Sequence, residues 1–350
     1  MILAHLDLDA FYAAVEELES PELRTKPLVV GGDPRGRGVV ATANYVARTF
    51  GIHSAMSAAE AVRRCPHAVF VRPRHQLYRE YSRYVWSTVR GIVPTIEQTG
   101  IDEGYLDIGE VAADFLDARV VAEAVQTAVR AATSLTCSLG VAPCKVVCKV
   151  ASDARKPGGL TVVVPGQEAA FLAPFDVRRL PGVGPKAEAR LRPAGVETVG
   201  ALAALTDAEL KRLLPGSVGV ALRERARGID PRGLELDVQR ISISSENTFE
   251  RDVVDREFVH EELRRQAREL AESLRKRGEV ARTGTTKLRY ADFSIRSRST
   301  SLDHGIDDAD EIATLACRLL DRGLRDRPGA LRLVGVGVSG LGAYRQLTIV

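Results

Sequence analysis

Two periods run through the apolar and polar positions of the chain, and they predict its elements. Residues 1–6 are apolar and strand-like, and alternation through Leu8 places His5 and Asp7 on one face, Leu6 and Leu8 on the other. Ala10, Ala13, Ala14, Glu17 and Leu18 then follow helical spacing, with Asp9 placed to cap the helix, metal ligation being its other reading. Residues 28–30 read as a strand, 33–38 as a hairpin tip, 39–42 as a returning strand and 43–50 as a short helix stopped by Gly51. A helix over 57–64 and a strand over 69–71 follow. Tyr78, Tyr81, Val85, Val89 and Ile92 form the apolar stripe of a longer helix. Residues 96–99 and 105–108 read as an antiparallel hairpin, 119–133 as an alanine-rich helix and 136–141 as a strand. A helix over 142–155 ends at Lys156-Pro157-Gly158-Gly159. The order strand, helix, hairpin, helix, strand predicts an α+β split βαβ sheet with helices on one face, and residues 20–74 inserted near its start.

From about residue 165 the pattern changes. Leu180-Pro181-Gly182-Val183-Gly184-Pro185-Lys186 resembles the hairpin of a helix-hairpin-helix motif, in which Gly182 and Gly184 let backbone amides approach phosphates and Lys186 adds charge. Leu214 to Gly219 is a weaker echo. Residues 228–240 read as a polar linker. Beyond it, 241–244 and 248–250 look strand-like, 258–277 is an amphipathic helix ended by Gly278, 283–295 alternates as a strand, 310–322 is a helix and 331–338 a buried strand. Lys287 and Arg289 share one face of the alternating segment, Leu288 and Tyr290 the other. Such a basic face suits either a phosphate backbone or plain solvent.

Composition adds little until charge is located. The chain has 350 residues, 45% hydrophobic and 27% charged, enough for two or three domains. A net charge of +3 permits a polyanionic partner without requiring one. Between Arg282 and Arg298 stand five basic residues and one acid, so the charge is local. The five cysteines (Cys65, Cys137, Cys144, Cys148, Cys317) form no CxxC pair and read as free thiols of a reduced, cytoplasmic protein, although Cys144 and Cys148 share a helix spacing. The opening residues do not read as a signal peptide, and no run of about 18 apolar residues predicts a membrane span.

The chemistry concentrates in two acid-bearing segments. Asp7 and Asp9 end the first strand, and Asp102 and Glu103 stand between apolar residues in Ile101-Asp102-Glu103-Gly104-Tyr105-Leu106-Asp107. A buried carboxylate is costly unless paired, hydrogen-bonded or bound to a metal. An all-oxygen set favours Mg²⁺ or Mn²⁺. Asp102 and Glu103, being adjacent, cannot both point one way on a regular strand, so a turn or bulge must re-aim one, eased by Gly104. Tyr45 and Arg48 share a helix face, either as a phosphate clamp or as a surface pair. Lys156, at a helix terminus, suits a phosphate or the helix dipole.

In these segments the chain resembles the Y-family translesion DNA polymerases, of the DNA polymerase IV type. His5 to Glu16 resembles their first motif, Ala41 to Arg48 their fingers motif, Ile101 to Asp107 their second acidic motif and Lys149 to Gly159 their lysine motif. The resemblance runs in order along nearly the whole chain. It implies a right-hand polymerase: a ferredoxin-like palm (1–19 and 75–164), small fingers (20–74), a helical helix-hairpin-helix thumb (165–230), a linker (231–242) and an α/β little finger (243–350). It implies a monomeric nucleotidyltransferase that adds deoxynucleotides to a primer 3′-end, bypasses damaged template bases and does not proofread. Two Mg²⁺ ions, replaceable by Mn²⁺, are implied on Asp7, Asp102, Glu103 and the Leu8 carbonyl. Phe11, Thr42, Tyr45, Arg48 and Lys156 are implied to hold the nucleotide, with Tyr12 as the steric gate against a ribose. Gly182, Gly184, Lys186, Lys287, Arg289, Arg296 and Arg298 are implied to contact primer–template DNA.

Three departures stand out. Gly100 and Gly104 replace the serine and alanine common in the family, and the gate is tyrosine where many bacterial members carry phenylalanine. Gln346-Leu347-Thr348-Ile349-Val350 resembles a sliding-clamp-binding peptide but lacks its final aromatic. Read from the residues alone, a nucleotidyl cyclase-like enzyme and a non-catalytic DNA-binding scaffold remain alternatives. The first needs no duplex binding, and the second needs no acids.

Overall fold

The computed structural model describes residues 1–214, 216–237 and 239–343. The chain divides into two compact units, Met1–Pro34 with Gly38–Leu236, and Asp237 onward together with Arg35–Arg37.

In the first unit, β1 (Leu3–Leu8) leads into α1 (Phe11–Glu19). The inserted segment follows: β2 (Leu28–Gly31), β3 (Val40–Ala43), α2 (Tyr45–Arg48), α3 (Ala58–Arg64) and β4 (Val69–Val71), whose strands form a small sheet ordered β3-β2-β4. Next come α4 (His75–Arg90), β5 (Ile96–Gln98), β6 (Glu103–Asp107), α5 (Phe115–Thr133), β7 (Cys137–Ala142), α6 (Lys145–Ala154) and β8 (Leu160–Val162). The central sheet is ordered β5-β6-β1-β7-β8, with β1 antiparallel to both neighbours.

The alternation expected for β1 holds. Ala4, Leu6 and Leu8 enter a core with Tyr78, Val85, Trp86 and Val89 of α4 and Ala122, Val125 and Val129 of α5. Each fully buried large apolar side chain contributes about 1.5–3 kcal/mol there. The opposite face is not bare: α6 lies over it, and the His5 Nδ1 meets the Ser152 hydroxyl at 2.9 Å. Helices therefore cover both faces of the sheet, not one. The apolar face of α6 (Val146, Val147, Cys148, Val150, Ala151) is buried in a second core, and this packing brings Lys149 to the acids of β1 and β6.

Two sequence expectations at helix starts give way. α5 begins at Phe115 rather than 119, because the Asp114 carboxylate caps the amides of Leu116 and Asp117. Asp9 does not cap α1. Ala10 takes the cap position in left-handed geometry (φ 47°, ψ 41°), which turns Asp9 away from the helix amides. Holding a non-glycine residue there costs about 1–2 kcal/mol, so other contacts must fix Asp9.

Short helices follow: α7 (Glu168–Leu172), α8 (Pro185–Leu191), α9 (Val199–Ala203), α10 (Asp207–Leu213) and α11 (Ser217–Ala226), packed through Leu172, Leu180, Leu191, Leu202, Leu210 and Leu222. Gly216 caps α11 at φ +82°. The first part of the stretch read as a linker is tied down. Asp230 accepts the Val146 N–H at 3.2 Å, and the Glu235 N–H donates to Glu97 at 2.9 Å.

The second unit is one antiparallel sheet, ordered β11-β10-β12-β9, from β9 (Ser242–Val253), β10 (Glu279–Tyr290), β11 (Ile295–Ile306) and β12 (Leu331–Ser339). α12 (Arg256–Arg277) and α13 (Ala309–Asp326) cover one face, with Leu263, Leu270, Leu274, Leu319 and Leu320 in the shared core. The single strand expected over 283–295 is a hairpin. Asp292 accepts the N–H and O–H of Ser294 and turns the chain between β10 and β11. The peptide from Gln346 to Val350 lies outside the described residues.

Candidate active site

The register of the central sheet puts Asp7 of β1 directly opposite Glu103 of β6. Asp102 precedes β6, and its carbonyl accepts the Leu8 N–H at 2.9 Å, so the turn carrying it is pinned beside the end of β1. The Ile101 carbonyl accepts both the Ser82 hydroxyl and the Trp86 indole N–H, which anchors the other side of that turn to α4. The expected re-aiming of one acid is therefore achieved by ending the strand between Asp102 and Glu103. Gly104 serves another purpose than the one expected: a Cβ there would lie 2.8 Å from the Glu97 carbonyl oxygen and from Trp86, so it permits close packing.

The acids are held by cations of α6 and its end. Lys149 bonds Glu103 and lies 3.4 Å from Asp7, and the Lys156 ammonium lies 2.7 Å from Asp7 and 2.6 Å from Asp153. Burial works against both ammonium groups, yet the surrounding carboxylates hold their pKa values above the ordinary lysine value. Burial, with Asp7 and Glu103 adding repulsion, raises the Asp102 carboxyl. His5, 1% exposed, stands 3.8 Å from Glu103. Lys149 and His5 escaped the sequence reading of the site. The signal for Lys149 was its place in the same helical segment as Lys156.

This set fits a hard divalent cation. Every donor is a carboxylate or carbonyl oxygen, and burial first, then repulsion from Asp7 and Glu103, raises the Asp102 carboxyl, which a cation would offset. Among the described residues no three acidic, histidine or cysteine groups close into a ready cage. The two ammonium groups stand among the carboxylates instead.

The other expected residues fall around this cluster unevenly. The Tyr12 ring stacks on Tyr78, with centroids 4.2 Å apart and planes at 15°, and Tyr78 in turn donates to buried Glu16. Phe11 is 2% exposed and packs in the core, so its ring is unavailable to a nucleotide. Thr42 is half-buried on β3. Arg48 lies over the Tyr45 ring at 4.8 Å and donates to the Ala43 carbonyl. Burial first, then nearby Asp9, raises the Tyr45 phenol. Asn44 caps this helix through the Ala47 N–H and donates to Glu17 at 2.7 Å.

In the thumb-like region, Gly182 is at φ +103°, Gly184 caps α8 and Lys186 is exposed. In the second unit the four basic residues split between faces. Lys287 and Arg289 lie away from the helices, whereas Arg296 and Arg298 pair across strands with Leu288 and Thr286, which face α13. Lys287 is neutralised by Glu246 at 2.7 Å and Arg298 by Asp326 at 2.6 Å; among the described residues Arg289 and Arg296 have no ion pair. Cys144 does not lie on the helix face but caps α6, and all five cysteines are free. Among the described residues no helix is long and apolar enough to cross a membrane.

Residues 6–153 match the impB/mucB/samB family, 240–349 its C-terminal domain, and 178–230 the thumb domain of DNA polymerase iota. The DNA polymerase IV of Streptomyces coelicolor is 43% identical over 347 residues, covering 98% of this chain and 72% of that one. The DNA polymerase IV of Alkalilimnicola ehrlichii is 42% identical over 340 residues, covering 97% and 95%. Among solved structures, a chimeric Y-family DNA polymerase, Dbh-Dpo4(243-245)-Dbh, superposes with a TM-score of 0.88 at 28% identity, covering 98% of this chain and all of that one. DinB from Sulfolobus solfataricus superposes at 0.67, also at 28% identity. The chain belongs to the Y family of DNA polymerases. Within it, the chain is a DNA-directed DNA polymerase of the translesion type, similar over nearly its full length to bacterial DNA polymerase IV. The cyclase-like and scaffold alternatives fall with that assignment.

Proposed function

We propose that the chain extends a primer 3′-end on a damaged template by two-metal-ion phosphoryl transfer, without proofreading. The observation that carries this reading is the pairing of Asp7 with Glu103, with Asp102 pinned beside them. Two distant segments thereby bring three acidic residues to one end of the sheet. Asp7, Asp102, Glu103 and the Leu8 carbonyl hold the ions, Mg²⁺ or Mn²⁺. When bound, the ions supply charge to the attacking 3′-oxygen and the leaving pyrophosphate.

The chain's own residues do the rest. Lys156, Tyr45 and Arg48 take the triphosphate, with Thr42 beside them, once Arg48 leaves its resting place over Tyr45. The Tyr12 ring, backed by Tyr78, occupies the space a ribose 2′-hydroxyl would need. Primer–template DNA lies against exposed Lys186 with the Gly182–Gly184 turn, and against the basic residues of β10 and β11. Phe11 contributes backbone only. A relative's solved structure is named as an insertion ternary complex of the Dbh DNA polymerase, which supports DNA and nucleotide together as partners. A sliding clamp bound through Gln346 to Val350, and action as a cytoplasmic monomer, complete the reading.

Primer extension across an abasic site, with and without Mg²⁺, tests it. Asp102→Ala should abolish extension while leaving the melting profile intact, and retained extension refutes the assignment. Mismatched primer ends incubated without nucleotides should not shorten.

A further inference from the structure

Asp9 has no part in the site as read so far, yet its carboxylate is 3% exposed and fully engaged. It accepts the Ser138 hydroxyl of β7 at 2.7 Å, the Gly158 N–H at 2.8 Å and, more weakly, the Tyr45 phenol at 3.5 Å. The Ser138 oxygen also accepts the Gly159 N–H at 3.3 Å. From the other side the Gln126 carboxamide of α5 donates to the carbonyls of Gly158 and Gly159, both at 3.2 Å, and to that of Cys137 at 2.9 Å. The turn after Lys156 is therefore gripped at both amides and both carbonyls. Gly158 sits at φ +67°, which a side chain would resist.

Neither helix capping nor apolar packing accounts for this arrangement. Asp9 caps nothing, and α6 has already ended at Ala154. What the grip fixes is the turn two residues past Lys156, a side chain with four rotatable bonds that must meet a phosphate. Anchoring its backbone lowers the entropy lost when the ammonium is ordered on a ligand. We propose that Asp9, Ser138 and Gln126 are positioning residues that set the turn bearing Lys156 for the incoming triphosphate. This rests on the reading of Lys156 as a triphosphate contact.

The test uses the full chain in single-nucleotide incorporation on primer–template DNA with Mg²⁺. Ser138→Ala and Gln126→Ala avoid burying an unpaired charge, and Asp9→Asn is the third variant. Each should raise the KM for the incoming deoxynucleotide about three- to tenfold, with kcat held within about twofold. DNA affinity by gel shift and the melting temperature should stay near wild type for Ser138→Ala and Gln126→Ala. In a Lys156→Ala background the same two substitutions should add less than about twofold, because their effect passes through Lys156. An unchanged KM in Ser138→Ala and Gln126→Ala, or an equal rise with and without Lys156, overturns the proposal. If Lys156→Ala alone leaves KM unchanged, the triphosphate assignment has failed, and the proposal fails with it.

Discussion

Lys145→Met tests what holds the segment between the thumb-like helices and the second unit. Lys145 is 4% exposed and Glu97 9%, and the ammonium meets the Glu97 carboxylate at 2.5 Å. The same ammonium lies 4.8 Å from the centre of the Tyr105 ring and donates to the Gly233 carbonyl at 3.3 Å. The same Glu97 oxygen accepts the Glu235 N–H. Methionine keeps most of the aliphatic volume but leaves Glu97 as a buried carboxylate with one backbone donor. Removing one member of a buried pair costs about 3–5 kcal/mol. Because Glu97 keeps that donor, the lower end applies. At 2–4 °C per kcal/mol for a unit of this size, the first unit should melt about 6–12 °C lower by scanning calorimetry. The double variant Lys145→Met, Glu97→Gln should recover much of the loss, since removing both charges removes the uncompensated one. Limited proteolysis should meanwhile speed up between residues 231 and 236 in the single variant. A single variant that melts within about 2 °C of wild type, or a double variant no better than the single, refutes the reasoning.

Tyr12→Ala should lower discrimination against ribonucleotides by about tenfold or more in competitive incorporation, and unchanged selectivity would count against the gate. Arg296→Ala should weaken DNA binding and reduce the salt slope by about one, measured by titration at several salt concentrations, whereas Lys287→Ala, already paired with Glu246, should do less. Hydrogen bonds from His304 to Glu311 and Asp303 raise its pKa above the ordinary 6.5. Its folded-state value exceeds its unfolded value, so its contribution is present below that ordinary value and is lost as pH rises through the raised one. The melting temperature of the second unit should therefore fall, relative to His304→Gln, as pH rises above the ordinary 6.5; parallel curves would refute this.

Much of the fold was legible where a period of 2 or 3.6 ran long enough, as in β1, α4 and α12. The acids of the site were legible because carboxylates amid apolar residues need a reason. What stayed hidden depends on contacts distant in sequence. The amphipathic face of α6 does not say which side of the sheet it covers, so helices on both faces could not be read from local pattern. The turn at Asp292 carries neither glycine nor proline, and its one mark in the alternation is a phase slip at Tyr290-Ala291. Asp9 stands where a cap belongs. Only the left-handed backbone of Ala10, with Ser138 and Gly158 waiting on the far side, redirects it. Lys287 and Arg296 look alike in composition, but they are an odd number of residues apart, and the hairpin pairs Arg296 with Leu288, on the face opposite Lys287.

Lys149 and Lys156 act as internal counter-ions for the acids of β1 and β6. If divalent ions are held at Asp7, Asp102 and Glu103 as proposed, loading would be an exchange rather than an addition: the ions would compete with tethered ammonium groups whose local concentration never falls. The acids would keep a partner without ions, and activity would be graded by the ion supply. Lys156, once released from Asp7, would be free to meet the triphosphate.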